Sequence, residues 1–216
     1  MKVVTIIPVC NEERHIGKVV GDARRYCDMV LVVDDGSTDS TALIAKKAGA
    51  HVLKLSKNKG KGFALRIGIA RALKDGADVV VFMDGDEQHR AEDIPTFVGA
   101  LKGHDIVFGE RTAGKMPPIK EFGNWFLNNL FSFLFKSDSG DLLCGFKAMN
   151  RKTAEELTWR SNGYSVEIEM ASKVALKKLK VNRVKIPIIY IDAKKGTGVV
   201  DGLWIGLNIV KFRLLR

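Results

Sequence analysis

The chain has 216 residues, enough for one domain with a substantial core and few for two. Its hydrophobic (46%) and charged (28%) fractions are ordinary for a globular protein, and no run approaches the roughly 18 apolar residues of a membrane span. The net charge of +10 implies an anionic partner, which composition alone leaves open among nucleotide, lipid phosphate, membrane surface and nucleic acid.

The first half of the sequence alternates strand-like and helix-like segments. Apolar runs rich in β-branched residues predict strands at Val3–Val9, Met29–Val33, Val52–Leu55, Val79–Met83 and Ile106–Phe108. Amphipathic stretches predict helices near residues 13–26, 39–49, 61–75 and 92–102. Such a pattern favours an α/β fold with a mostly parallel sheet flanked by helices on both faces. Ligands of these sheets bind outside the carboxyl ends of the strands.

The sequence changes character beyond about residue 110. A Gly/Pro/Lys loop at 109–118 leads into an aromatic stretch at 119–135. The remaining pattern predicts a helix near 165–179, a strand at 181–191, a basic glycine loop at 194–198 and an apolar-basic helix at 203–215. Because no repeat, low-complexity tract or linker is present, we predict a single domain over 1–216.

Polar segments follow the predicted strands at the ends where such a sheet would bind a ligand. They comprise residues 8–13 (PVCNEE), 34–39 (DDGSTD), 58–62 (NKGKG) and 84–89 (DGDEQH). Taken singly, each segment is explained by a turn, a helix cap or a lysine-rich loop. Four of them on one edge of one sheet favour a ligand site instead.

The chemistry of the fourth segment suits a nucleotide diphosphate bound through a divalent cation. Asp84 and Asp86 offer hard oxygen ligands for Mg²⁺ or Mn²⁺, which keep open positions for phosphate oxygens. Gln88 adds a further possible oxygen ligand. The metal would stabilise the negative charge that develops on the departing nucleotide.

Other residues of these segments suit the rest of a nucleotide. Asp34 and Asp35 are suited to accept hydrogen bonds from ribose hydroxyls or from the edge of a base. Lys59 and Lys61, in a glycine-rich loop, can contact phosphate directly. The sequence therefore predicts a nucleotide site that joins all four segments.

These segments resemble, in order and spacing, the motifs of family 2 glycosyltransferases of the GT-A (Rossmann-like) fold. The motifs are Ile7-Pro8-x-x-Asn11-Glu12, Val33-Asp34-Asp35-Gly36-Ser37-Thr38-Asp39, Asn58-x-Gly60-x-Gly62-x-Ala64 and Asp84-x-Asp86-x-Gln88-His89. Two later motifs are similar to the branch of dolichyl-phosphate mannose and glucose synthases. They are Asp141-x-x-Cys144-Gly145-Phe146-Lys147 and Gly163-Tyr164-Ser165-x-Glu167-Ile168-Glu169.

The resemblance implies inverting transfer of a hexose from a UDP- or GDP-linked sugar to a polyprenyl phosphate, with Mg²⁺ or Mn²⁺ as cofactor. It makes 1–110 the half that binds the nucleotide sugar and 111–216 the half that faces acceptor and membrane. It places these residues near the nucleoside: Pro8, Asn11, Glu12, Asp35 and Lys59. It places Asp84, Asp86 and Gln88 at the metal and Arg111 beside the reacting phosphates.

One departure from the resemblance concerns the basic loop near the end of the chain. Relatives often carry Arg-x-x-Gly-x-Ser-Lys, whereas this chain has Lys194-Lys195-Gly196-Thr197-Gly198. Lysines keep the positive charge but lose the bidentate fork of arginine. We predict that Lys194 and Lys195 contact the phosphates of the nucleotide sugar.

The nature of the acceptor decides whether the reaction needs a general base. A sugar hydroxyl needs one because its pKa lies far above 7, whereas a phosphate monoester is already ionised. Asp141, Glu167 and Glu169 are the carboxylates available, and Asp141 is the better candidate for a hydroxyl acceptor. With a phosphate acceptor they would orient sugar hydroxyls or Arg111. We therefore predict Asp86, Arg111 and Asp141 as catalytic residues.

Two amphipathic helices are predicted to lie in the membrane interface. Five of the eleven phenylalanines fall within 122–135, between flanking lysines, and residues 203–213 repeat this apolar-basic composition. With the net charge of +10, they would hold the chain on anionic lipid. The three dispersed cysteines and the lack of a signal peptide favour the reducing cytoplasm. We therefore expect a cytoplasmic protein peripherally associated with the membrane.

Other functions remain as alternatives at this point. The nearest is a family 2 glycosyltransferase with a saccharide or other hydroxyl acceptor. From a different class, the charge permits a basic nucleic-acid-binding module. The dispersed basic residues and the lack of an RNA-recognition motif disfavour it, so we predict no nucleic-acid partner.

Overall fold

The computed structural model describes residues 1–112, 118–137, 140–163, 165–187 and 199–214. Its strands are β1 (Val3–Val9), β2 (Met29–Asp34), β3 (His51–Lys54), β4 (Val79–Phe82), β5 (Ile106–Arg111), β6 (Lys147–Asn150) and β7 (Val181–Ile186). Its helices are α1 (Ile16–Ala23), α2 (Thr41–Lys47), α3 (Lys61–Lys74), α4 (Ile94–Ala100), α5 (Pro118–Phe135), α6 (Arg151–Glu156), α7 (Val166–Leu176) and α8 (Val199–Leu214). A short 3-10 helix, Ala91–Asp93, precedes α4.

The strands form one sheet in the order β3-β2-β1-β4-β6-β5-β7. β1 to β4 pair in parallel, as do β5 and β7, while β6 runs antiparallel to both of its neighbours. The predicted α/β fold with a mostly parallel sheet of the GT-A type is therefore confirmed.

Both faces of the sheet are buried because alternate side chains of each strand point to opposite faces. In β1, Ile7 and Val9 pack into the core beneath α1, α2 and α4, whereas Val4 and Ile6 pack beneath α3, α6 and α7. This explains why the central strands are apolar throughout rather than alternating.

Helices α5 and α8 pack against each other and against the outer side of α7. Their contact forms a third apolar cluster around Leu127 and Phe131 of α5, Ile168 of α7, and Ile205 and Ile209 of α8. Helix α7 thus lies between the sheet and the α5/α8 pair. Within the described ranges, no helix is both long enough and apolar enough to cross a membrane.

The structure adds two elements that the sequence patterns did not predict, β6 and α6. β6 contains Lys147, which is completely buried, so the strand lacks the apolar alternation by which strands are recognised. β5 also extends beyond the predicted end, to Arg111, because its last residues pair with β7 up to Ile186.

Candidate active site

The predicted polar segments meet at one edge of the sheet. β1 lies between β2 and β4, and Val9 at the end of β1 is in register with Asp34 at the end of β2. The segments 10–13, 34–39 and 83–89 therefore emerge side by side, and we call them together the acidic edge. The loop 58–60, which leads into α3, hydrogen-bonds to this edge through Asp35.

Asp34 and Asp35 are buried and shape the floor of the acidic edge. Asp34 Oδ1 accepts from Ser37 N at 2.7 Å, and its Oδ2 has no hydrogen-bond partner among the described residues. Asp35 accepts from Lys59 N at 2.8 Å and from Gly60 N at 2.7 Å. These carboxylates fix the neighbouring loops, which the sequence did not indicate, and their contact with a nucleoside stays a prediction.

The segment after β1 is tied to the segment after β2. Asn11 has a φ of 56°, and its side-chain oxygen accepts from Thr38 N at 2.9 Å. Asn11 N donates to Ser37 Oγ at 2.9 Å, and Glu12 N donates to Thr41 Oγ1 at 2.8 Å. The asparagine and glutamate predicted near the nucleoside therefore lie on a stretch of backbone with a fixed shape, directly beyond Pro8 at the end of β1.

The start of α3 lies directly against the loop that precedes α7. Gly60 has a φ of 94°, and a Cβ there would lie 2.4 Å from Asn162 O. A Cβ on Gly62 would lie 2.2 Å from Ser161 O. Glycine is therefore required at both positions, because any side chain would push the two loops apart. This contact brings α7, with Glu167, to the acidic edge.

A chain of buried ion pairs connects the two parts of the site. Lys61 Nζ lies 2.7 Å from Asp84 Oδ1 and 2.9 Å from Glu167 Oε1. Lys147, with no exposed side-chain surface, pairs with the other oxygen of Glu167 and also donates to Cys144 O. Lys61, predicted to contact phosphate, thus contacts two carboxylates in this structure.

Burial and charge act in opposite directions on the pKa values of this network. Burial favours the neutral form of each group, but opposite charges outweigh it. The pKa of Lys61 is held above its ordinary value by Asp84 and Glu167, and the pKa of Asp84 is held below its ordinary value by Lys61. The pKa of Glu167 is likewise lowered by Lys147 and Lys61. Lys61, Asp84 and Glu167 are therefore charged at neutral pH.

Asp84 is paired with Lys61, whereas Asp86 forms no ion pair with a lysine or arginine among the described residues. Burial and the negative charge of Asp84 raise the pKa of Asp86 above its usual value, and its Oδ1 accepts from Gln88 N at 3.1 Å. Two nearby carboxylates that repel each other suit a cation, so these residues fit Mg²⁺ or Mn²⁺. Gln88 contributes to this arrangement through its backbone N–H.

Gly145 leaves room for the carboxylate of Asp84, and the buried side chain of His89 contacts the backbone of Asp84. A Cβ on Gly145 would lie 2.2 Å from Asp84 Oδ2. His89 Nδ1 accepts from Asp84 N at 3.2 Å, and burial lowers the pKa of His89, so the imidazole is neutral with its proton on Nε2. In the described part of the chain, no three His, Cys, Asp or Glu side chains form a closed metal site. A metal held by two carboxylates completes its coordination with substrate oxygens and water.

Arg111 and Asp141, both predicted as catalytic, form one ion pair. Arg111 Nη2 donates to Asp141 Oδ1 at 2.8 Å, and Arg111 Nε donates to Oδ2. Both oxygens of Asp141 are therefore in contact with the guanidinium. The two predicted roles of Asp141, orienting Arg111 for a phosphate acceptor or acting as the base for a hydroxyl acceptor, stay predictions.

Glu169, Lys147 and the basic loop at 194–198 are the remaining residues to place relative to the predicted site. Glu169 accepts backbone hydrogen bonds from Arg160 and Ser161 and is not directed at the acidic edge. Lys147 belongs to the site although the sequence patterns did not single it out, except as the last residue of the Cys144–Lys147 motif. Lys194 and Lys195 lie outside the described residues, so their predicted phosphate contacts stay predictions.

The fold and its acidic edge define a GT-A type glycosyltransferase architecture. The sequence model of the family described as "Glycosyl transferase family 2" matches residues 4–158, which include the acidic edge, Arg111 and Lys147. The chain therefore belongs to glycosyl transferase family 2, as the motifs indicated.

Two relatives are similar over most of this chain. Glycosyltransferase AglJ of Haloferax volcanii is 34% identical over 201 residues, which cover 90% of this chain and 65% of that protein. Dolichyl-phosphate hexose transferase of the same organism is 32% identical over 210 residues, which cover 93% of this chain and 89% of that protein. The second name confirms the resemblance to the dolichyl-phosphate branch.

Solved structures support the fold. Glucosyl-3-phosphoglycerate synthase from Mycobacterium tuberculosis, crystallised with Mn²⁺, UDP and glucosyl-3-phosphoglycerate, aligns with a TM-score of 0.78 at 22% identity. The alignment covers 99% of this chain and 78% of that chain. At this identity the likeness is one of fold.

Proposed function

We propose that this chain is an inverting glycosyltransferase that moves a hexose from a nucleoside-diphosphate sugar to a polyprenyl phosphate at the cytoplasmic membrane face. Residues 1–110 bind the nucleotide sugar and residues 111–216 face acceptor and membrane. The proposal extends to this chain what the name of the dolichyl-phosphate hexose transferase says of that relative.

One observation supports a phosphate acceptor: each carboxylate predicted as a possible base is already paired with a positive charge or with backbone N–H groups. Asp141 is held by Arg111, Glu167 by Lys61 and Lys147, and Glu169 by backbone N–H groups and Lys173. A hydroxyl acceptor needs a base that can take its proton. A phosphate monoester attacks in its ionised form and needs only alignment and charge neutralisation, which suits this site better.

In this proposal the acidic edge binds the nucleotide sugar. The buried Asp34 Oδ2, which has no partner among the described residues, is the acceptor offered to a base or ribose group. Asp84 and Asp86, with Gln88 beside them, would hold Mg²⁺ or Mn²⁺. A metal bound there would supply positive charge that stabilises the nucleoside diphosphate as it leaves. The Mn²⁺ and UDP in the structural neighbour support this assignment.

Arg111 aligns the acceptor for attack. Its guanidinium, kept in one orientation by Asp141, places a positive charge beside a phosphate oxygen of the lipid. That oxygen forms a bond to the anomeric carbon while the bond from this carbon to the diphosphate breaks, and no proton has to be removed. Attack from the side opposite the leaving group inverts the anomeric configuration.

A transfer assay with two acceptors tests the proposal. The purified chain is incubated with radiolabelled UDP- and GDP-sugars and Mn²⁺, with either dolichyl phosphate or dolichol. We expect label to enter the organic phase with dolichyl phosphate and not with dolichol. Equal labelling of dolichol would show that a hydroxyl is the acceptor. Label that never enters the organic phase, with a saccharide becoming labelled instead, would contradict the lipid acceptor.

The nucleotide is tested separately by thermal unfolding with UDP or GDP, with and without Mn²⁺. We expect one nucleotide to raise the unfolding temperature, and to do so only when Mn²⁺ is present. Stabilisation by the nucleotide that does not depend on metal would contradict the metal assignment. A parallel sample with nucleic acid in place of nucleotide is included, and stabilisation by nucleic acid alone would favour the binding-module alternative.

A further inference from the structure

Lys61 and the proposed divalent metal would both bind the carboxylate of Asp84. The Lys61 ammonium is 2.7 Å from Asp84 Oδ1, and Asp84 is one of the two carboxylates assigned to the metal. The side chain is 17% exposed, so water screens this contact only weakly. A divalent cation bound by the same carboxylate would lie close to the ammonium and be repelled by it.

The charges around this contact favour a metal that arrives with phosphate. Lys61 and Lys147 balance the charges of Asp84 and Glu167, and Asp86 beside Asp84 adds a further carboxylate, so these five groups carry one net negative charge. A bare divalent cation would convert this to one net positive charge in a largely buried site. A metal accompanied by the doubly charged diphosphate of a nucleotide sugar leaves the balance unchanged.

The backbone at Lys61 cannot move away to relieve the repulsion. Lys61 is the first residue of α3, and the glycines on either side of it are packed against the backbone of Ser161 and Asn162. The side chain, in contrast, has a second partner, because its ammonium also lies 2.9 Å from Glu167 Oε1. It can therefore give up Asp84 without becoming an unpaired buried charge.

We propose that Lys61 is an internal counterion that competes with the divalent metal for Asp84, so that metal binding requires the nucleotide diphosphate. Lys61 is then a positioning residue that couples the two ligands, and not a phosphate ligand of the kind expected from its loop. This inference rests on the proposed function, because it takes Asp84 and Asp86 as the metal-binding carboxylates.

Titration calorimetry with Mn²⁺, without acceptor or turnover, tests the proposal. The wild-type chain and Lys61→Gln are titrated alone and in the presence of saturating UDP or GDP, whichever stabilises the wild type. We expect Lys61→Gln to bind Mn²⁺ alone at least about tenfold more tightly than the wild type. With nucleotide bound, the two chains should bind Mn²⁺ with similar affinity, so the gain in Mn²⁺ affinity caused by nucleotide should be smaller by the same factor in Lys61→Gln. Unchanged or weaker Mn²⁺ binding in Lys61→Gln would overturn the proposal.

Lys57→Gln is the matched control, since Lys57 is an exposed lysine four residues away in the same loop region. It removes the same charge without touching Asp84, and its Mn²⁺ affinity should stay within about twofold of the wild type. An equal gain in both variants would assign the effect to long-range charge and overturn the specific role of Lys61. If Lys61→Gln does not fold, Lys61→Met serves in the same titrations.

The calorimetry also separates this inference from the proposed function. Wild-type Mn²⁺ binding that needs nucleotide, together with unchanged binding in Lys61→Gln, would defeat the role of Lys61 alone. No Mn²⁺ binding under any condition would defeat the metal assignment itself. Failure of lipid labelling in the transfer assay would leave the titration result unaffected.

Discussion

The acidic edge buries charged side chains, whereas the outer surface of α5 and α8 exposes large apolar ones. At the acidic edge, charged groups are buried: Lys147 is completely inaccessible and Glu167 is nearly so. On the two helices, large apolar side chains are exposed, including Phe133 at 81% and Trp204 at 64%. Each region thus inverts the arrangement usual for a globular protein.

The physical costs of the two inversions differ. A buried charge loses its hydration and is retained only where a partner compensates, as Lys147 and Glu167 do for each other. Exposed aromatic side chains carry no such penalty singly, but their concentration on one pair of helices indicates a surface that contacts something apolar. The comparison therefore predicts charge-dependent chemistry at the first region and lipid contact at the second.

The largest effect is expected from Asp86→Ala at the acidic edge. One carboxylate would remain for the metal, whose charge stabilisation is worth several kcal/mol, so transfer should fall by at least about 10³-fold. The unfolding temperature should stay close to that of the wild type. Asp22→Ala, on the exposed side of α1, is the control and should keep its activity. Wild-type turnover in Asp86→Ala would remove the metal from the mechanism.

The acidic edge could be predicted because its signals are local. Each central strand is an apolar run followed at once by a polar segment, and parallel strands place those segments together. The sequence could not indicate that Asp35 anchors the Lys59 and Gly60 N–H groups, because this depends on how the two loops approach each other. The same holds for Lys61, whose glycine-rich loop suggested phosphate rather than Asp84.

β6 and its lysine show a second limit of prediction from sequence. A lysine in a short segment between Phe146 and Met149 indicates an exposed position by the usual pattern, yet Lys147 is fully buried. Its partner, Glu167, lies twenty residues further on in a different element. Both residues stand in motifs noted in the sequence, but only the fold shows that the motifs meet.

A smaller effect is expected at Arg111, which lies at the end of β5. Arg111→Lys keeps the charge but loses the paired N–H groups held by Asp141, so kcat/KM for dolichyl phosphate should fall by about 10- to 100-fold. The shift in unfolding temperature caused by nucleotide and Mn²⁺ should not change. Arg25→Lys, an exposed arginine paired with Asp22, is the control. Loss of nucleotide binding in Arg111→Lys would place Arg111 with the nucleotide sugar instead.

The second region is tested by removing exposed aromatic side chains. Phe133→Ser and Trp204→Ser should each weaken co-sedimentation with anionic vesicles by about tenfold, because each removes apolar surface worth about 1.5–3 kcal/mol when buried. Transfer to a short-chain, water-soluble polyprenyl phosphate should be unchanged. Leu43→Ser, which removes a 55% exposed leucine from α2, is the control and should bind vesicles normally. Equal losses in all three variants would show that α5 and α8 are not the contacting surface.

The smallest effect is expected at Glu169, a buried carboxylate that stabilises the fold and is not assigned to the metal. Glu169 lies on α7, and its carboxylate accepts from Ser161 N at 2.8 Å and from Arg160 N at 2.9 Å. Burial acts to raise its pKa, but these hydrogen bonds and Lys173 lower the pKa below the ordinary value. The folded state therefore favours the ionised form, and the stability this provides is complete above the unfolded-state pKa of about 4.3.

We expect Glu169→Gln to lower the free energy of unfolding by about 1–3 kcal/mol at pH 7, measured by urea denaturation. The difference from the wild type should diminish as the pH falls below about 4.3 and through the lower folded-state pKa, since protonation removes the charge in both states. Glu156→Gln, an exposed position on α6, should show no such difference. Mn²⁺ affinity should be unchanged in Glu169→Gln, because Glu169 contacts the loop beside α3 and not the acidic edge. A change in metal affinity without a change in stability would mean that Glu169 serves the metal site and not the fold.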